Sequence, residues 1–135
     1  MDAYLQKAQQ NMSAADYLLT QDQSLHIAAV HPAYYAYFQL VKYILAQKLG
    51  IDYSQQDKEV VGKNSHNVLI GKLKEDIQKN HNSHPDVFRY MATMKQFRTS
   101  ADYKNTSIAE EDLTNFFNQL NELLKKFEQF YNIQI

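Results

Sequence analysis

The sequence predicts an all-α domain. Three observations carry that expectation. Apolar residues recur three and four apart in five separate segments, the period of a helix face. Glycine and proline number only 3 and 2 in 135 residues, too few for the many tight turns of a sheet protein. Helix-starting residues stand just ahead of three of those segments. The length suits one domain spanning residues 1–135, which buries roughly two-thirds of the surface its unfolded chain exposes.

The first segment is "DAYLQKAQQNMSAADYLLTQ", with Leu5, Ala8, Met12, Ala15 and Leu19 in one stripe. The second begins near Ser24 and contains "HPAYYAYFQLVKYILAQKLG". Pro32 lacks a backbone donor and clashes with the preceding turn, so it predicts a kink or a short turn followed by a new helix. From Ala33 to Leu49 only Gln39, Lys42, Gln47 and Lys48 are polar. A helix apolar almost all round packs centrally, against neighbours on several sides. Gly50 suits the left-handed stop after it.

The third segment, "NSHNVLIGKLKEDIQKN", has Asn64 or Ser65 as its cap. His66, Leu69 or Ile70, Leu73 and Ile77 share one of its faces. Gly71 weakens it by about 1 kcal/mol relative to alanine and suggests a close approach by another backbone. The fourth, "HPDVFRYMATMKQFRTSADY", places Pro85 in the first turn and Asp86 at the positive end of the helix dipole. Its stripe is Val87, Met91, Met94, Phe97 and Ala101. The fifth opens on "SIAE", a capping box with Ser107 at N-cap and Glu110 at N3. Leu113, Phe116, Leu120, Leu123, Phe127 and Phe130 then form a seam that needs a partner helix. The stretches "IDYSQQDKEVVGK" and "NHNSHPD" read as the least structured.

Charge narrows the function classes. The 14 basic and 15 acidic residues give a net −1, without the clustered basic arm of a non-specific nucleic-acid binder. Cysteine is absent, which removes disulfides, thiolate zinc sites and a cysteine nucleophile. "MDAYLQKAQQ" is not a secretory signal, and no run of about 18 apolar residues predicts a membrane span. A cytoplasmic domain with no membrane partner is the expectation. Glycine-rich phosphate loops and the GxSxG, HExxH and CxxC patterns are also missing.

Two polar constellations remain. "HNSH" brings His81 and His84 close, but two turn residues do not complete a metal-ligand set, so no metal and no cofactor is expected. His26 and His31 flank Pro32 and read as local caps or partly buried imidazoles. In "FRTSADY", Arg98 and Asp102 lie four apart on one helix face, with Tyr103 half a turn further. The structural reading is an exposed ion pair worth a few tenths of a kcal/mol. The functional reading is a polar cluster at the edge of the core, where a planar guanidinium grips an anion or a carboxylate.

These residues carry a resemblance. "KAQQNMSAADYLL", "AYYAYFQLVKYILAQKLG", "NSHNVLIGKL" and "RTSADY" resemble, in order and over nearly the whole chain, the HEPN domain, a small helical domain found beside nucleotidyltransferases in prokaryotes. The resemblance implies an antiparallel up-and-down bundle of about five helices that dimerises. In active members an arginine and a histidine, four to six residues apart, meet their symmetry mates in a cleft and cleave RNA without a metal. Arg98 matches the arginine. Tyr103 stands where the histidine would be at the shortest spacing, and Lys104 and Asn105 fill the later positions. His66 matches the family's "SH" segment on another helix. In some toxin members a partner nucleotidyltransferase adds AMP to a tyrosine near the motif, and Tyr103 is a loose match to it.

The resemblance therefore implies a homodimeric, non-catalytic module that binds nucleotide or RNA or partners a small nucleotidyltransferase. The alternatives are a metal-independent ribonuclease toxin with a degenerate motif, and a helical interaction protein with no ligand. Arg98, Asp102, Tyr103, Tyr34, Tyr35 and His66 are the expected site residues. The tyrosines fit the boundary of a core, because a phenol has an apolar body and a polar tip. Tyr34, Tyr37 and Tyr43 are expected to pack, and one of Tyr34 and Tyr35 to reach the Arg98 cluster.

Overall fold

The computed structural model describes residues 2–81, 85–103 and 108–135, and for residues 100–103 the backbone alone. Among the described residues there is no strand. The helices are α1 (Ala3–Leu19), α2 (Val30–Lys48), α3 (Tyr53–Glu59), α4 (Ser65–Asn80), α5 (Pro85–Tyr103) and α6 (Glu110–Tyr131).

The centre is α2. Val30, Ala33, Tyr34, Ala36, Tyr37, Phe38, Leu40, Val41, Ile44 and Leu45 are all buried on it, so its apolar surface needs cover on every side. α1, α4, α5 and α6 supply that cover. Pro32 does not kink it. Two single-turn 3-10 segments, Gln23–Leu25 and Ile27–Ala29, precede α2, so Pro32 falls in its first turn, where the backbone donor has no intrahelical acceptor. Gly50 follows with φ +72°, the left-handed stop.

Cross-contacts show that neighbours run antiparallel. Asp2 meets Gln47, Tyr4 meets Lys42 and Asn11 meets Gln39, so α1 and α2 run in opposite directions. Phe97 stacks on Phe116 at 4.9 Å, while residues at the opposite end of α5 face the C-terminal half of α6. Leu113, Phe116, Leu120, Leu123 and Phe127 are buried as their spacing requires, and Phe130 is half-buried.

Several expectations change. "IDYSQQDKEVVGK" contains a helix, α3, making six helices where five segments were expected. Asp52 caps it, accepting from the Gln55 N–H at 2.8 Å. Gln56 anchors it: its buried amide donates to the carbonyls of Lys42 and Ile51 at 3.0 and 2.9 Å. The capping box also fails. α6 begins at Glu110 with Ala109 at N-cap and no side-chain cap bond, and Ser107 lies outside the described residues. Glu110 instead reaches across the fold to His26, its Oε1 2.6 Å from Nδ1. That bond comes first among the influences raising the His26 pKa above its ordinary value. His26 is thus a partly buried imidazole, one of the two expectations for it, that joins Glu110 to the local Gln21 carbonyl, 3.2 Å from its Nε2, while His31 is exposed, its ring beside Tyr35 at 4.6 Å.

Asn64 is the α4 cap, accepting from the Asn67 N–H at 3.0 Å, and Leu69, Leu73 and Ile77 are its buried face. The close approach expected at Gly71 is absent: a Cβ built there meets nothing within 4 Å. The glycine costs helix propensity and gains no packing inside the chain. Gly71→Ala is therefore expected to stabilise the fold by about 0.4–1 kcal/mol. A urea titration followed at 222 nm checks this through a rise in the midpoint at unchanged slope.

Candidate functional site

Three helices bring residues to the same place. On α2, Tyr34 is 1% exposed, yet its phenol points at α4, where Oη lies 2.8 Å from Nδ1 of His66. One turn along α2, Phe38 stacks on the His66 imidazole at 3.9 Å with ring planes 12° apart. Tyr35 presents its edge to the same imidazole at 6.1 Å. On α5, the Arg98 guanidinium carbon lies 5.5 Å from the Tyr34 ring centroid, within range of a cation–π contact. α2 holds the rings because it is buried on several sides. α4 delivers His66 because Asn64 fixes its start two residues earlier.

The electrostatics follow from this placement. The His66 pKa is lowered to about 4, first by burial and then by the positive charges of Arg98 and Lys42. A ring pressed on Phe38 and facing cations disfavours its own protonated form. His66 is therefore neutral near pH 7. Arg98 is half-buried, and its rigid, permanently charged fork suits a phosphate or a carboxylate. The cluster offers one cation and one neutral imidazole, with a buried phenol between them, at the edge of an aromatic core.

Of the expected site residues, the structure brings together Arg98, Tyr34, Tyr35 and His66. Of Tyr34 and Tyr35, it is Tyr34 that lies under Arg98; Tyr37 is fully buried and Tyr43 half-buried. Asp102 and Tyr103 lie beyond Arg98 on α5, and their side chains are outside the described residues, as are Lys104 and Asn105. Phe38 was missed, because a phenylalanine in an apolar helix reads as core. Its signal was the four-residue spacing from Tyr34.

Among the described residues no three metal-ligating side chains cluster. His81 closes α4: its ring stacks on Phe130 at 4.8 Å and its Nε2 lies 3.6 Å from Asp76. Asp76 also accepts from the Tyr131 hydroxyl at 2.7 Å. His84 is outside the described residues.

The fold and this cluster define an all-helical bundle with an arginine poised over an aromatic and imidazole pair. A family model described as the HEPN domain matches residues 1–131, and the chain belongs to that family. No curated protein and no solved structure matches it significantly. No helix among the described residues is long and apolar enough to cross a membrane.

The depressed His66 pKa has a signed consequence. The unfolded imidazole titrates near about 6.5, above the folded value of about 4. Between those values the unfolded chain binds more protons, so His66 favours the fold above pH 6.5 and its contribution is lost as pH falls toward 4. An NMR titration should show the His66 ring resonances unmoved down to about pH 5. His66→Gln should flatten the stability-versus-pH curve over that window.

Proposed function

We propose that the protein is a non-catalytic HEPN module that binds the phosphate of a nucleotide or RNA at Arg98, and that it does so as a homodimer. The observation that carries this reading is the Arg98 guanidinium over the Tyr34 ring beside a neutral His66. The placement holds a cation at a desolvated edge, where an anion interacts more strongly than in bulk water.

The same cluster argues against cleavage. Acid–base transfer at neutral pH is best served by a group with a pKa near the working pH. The His at the expected spacing from Arg98 is replaced by Tyr103, whose reference value is near about 10. His66 lies close enough to be considered in its place, and this favours the ribonuclease alternative more than the sequence did. However, its Nδ1 is engaged by Tyr34 and one ring face is covered by Phe38. At a pKa of about 4, only about one molecule in a thousand carries the acidic proton at pH 7. It is a poor general acid and a weak base.

Calorimetry with AMP should show saturable binding that Arg98→Ala weakens by about tenfold or more, since a charge-assisted pair is worth about 1.5–3 kcal/mol. In chelator, a mixed RNA substrate should remain intact. Cleavage that disappears in Arg98→Ala would move the protein to the ribonuclease alternative. The absence of any nucleotide binding would leave the ligand-free interaction module.

The dimer rests on the family, whose members commonly dimerise. It also rests on exposed apolar side chains: Tyr17 and Val61 are 65% and 76% accessible in the single chain. Light scattering on a sizing column should give about twice the 15.8 kDa chain mass; a clean monomer at micromolar concentration overturns it. A small nucleotidyltransferase is the partner protein that the family resemblance supports.

A further inference from the structure

α4 and α5 both pack on α2 and leave a groove between them. Its lining is Asn67, Ile70, Gly71, Lys74, Phe88, Met91, Ala92 and Lys95, around about 300 Å³. Two features set it apart. It carries two lysines and no carboxylate, although the chain as a whole is net −1. The groove between α1 and α6 is lined by Asp16 and Glu128 as well as Lys125, and that between α5 and α6 by Asp86 and Glu122 as well as Lys126. Among the described residues neither Lys74 nor Lys95 makes an ion pair. Lys74 lies 5.4 Å from the Phe88 ring centroid. The second feature is Gly71, beside which a Cβ would meet nothing within 4 Å.

The groove's residues neighbour the Arg98 cluster along both helices. Asn67 follows His66 on α4, and Lys95 stands one turn before Arg98 on α5. Arg98 and Phe88 are ten residues apart on α5, about 15 Å of helix rise. Cations thus stand at both ends of this seam, with an apolar floor of Ile70, Met91 and Phe88 between them.

We propose that this seam holds a short single-stranded oligonucleotide whose first phosphate sits at Arg98. A base lies on the apolar floor beside Gly71, and the following phosphates sit at Lys95 and Lys74. The inference rests on the nucleotide reading of Arg98 and extends it from one unit to a strand. Size favours this occupant over an acidic peptide helix. A helix is about 10–12 Å across with its side chains, whereas the groove is at the small end of the range of about 300–1,000 Å³ for small-ligand sites. A flat base flanked by charges fits that space, and stacking tolerates any base identity.

The test compares AMP with the 5′-phosphorylated trinucleotide pApApA by calorimetry at several salt concentrations. The variants are Lys74→Ala, Lys95→Ala, the double variant, and Gly71→Leu, which fills the groove without removing charge. The trinucleotide should bind at least about tenfold tighter than AMP, with a steeper salt dependence of about 0.7 per added phosphate contact. The double lysine variant and Gly71→Leu should each remove that gain while leaving AMP affinity as it was. If AMP binds through Arg98 but pApApA binds no tighter, the seam proposal is overturned and the Arg98 reading survives. If neither ligand binds, both fall. If an acidic amphipathic peptide binds instead, and the double lysine variant abolishes it, the groove belongs to a protein partner and the proposal is overturned.

Discussion

The structure depends on the desolvation of α2. A helix with Tyr34 and Tyr37 at 1% and 0% exposure must be surrounded, and α1, α4, α5 and α6 are arranged by that need. Burying those two phenols raises a cost that ordinary apolar side chains do not. A buried hydroxyl without a hydrogen bond costs about 1–3 kcal/mol. At Tyr34 the cost is offset by His66, 2.8 Å away on α4. Tyr37 Oη has no hydrogen-bond partner among the described residues, and burial raises its pKa. The polar cluster is therefore partly a consequence of the core: a central phenol needs a hydrogen-bonding neighbour, and burial beside two cations makes that neighbour neutral.

Neutrality is where core and site meet. The cations near His66 disfavour a third positive charge, and Phe38 removes water from one ring face. Both effects keep the imidazole neutral, with a ring nitrogen free to accept. They also remove it from service as a proton donor near pH 7. An arrangement that stabilises the fold at this point thus works against acid–base chemistry, while leaving the Arg98 charge in place for an anion.

The long helices were legible because each carries an apolar stripe over many residues, and summed periodicity is a strong signal. α3 was not, since seven residues give too short a window. It is fixed by a buried glutamine, whose importance comes from carbonyls on two other segments. The α6 start was misread for a related reason. Ser107 and Glu110 have the right spacing for a local cap, but His26, 84 positions away in sequence, takes the carboxylate. A tertiary partner outcompetes a local pattern when it offers a short, charge-assisted bond. Residue types at the site were legible one by one; their convergence was not, because Tyr34, His66 and Arg98 come from three helices and share no local spacing.

Gly71 shows how a residue misjudged from sequence can still be informative. A glycine inside a helix suggests that another backbone lies near, and within the chain none does. The open space instead faces a groove with two lysines and no acid. Backbone freedom is not the reason for it, since this glycine is in an ordinary helical conformation. What the missing side chain leaves is volume beside α5, in the groove lined there by Met91, Ala92 and Lys95. The helix propensity lost at Gly71 follows from the absent Cβ, while the α4–α5 seam is wide enough there that a Cβ alone would touch nothing across it.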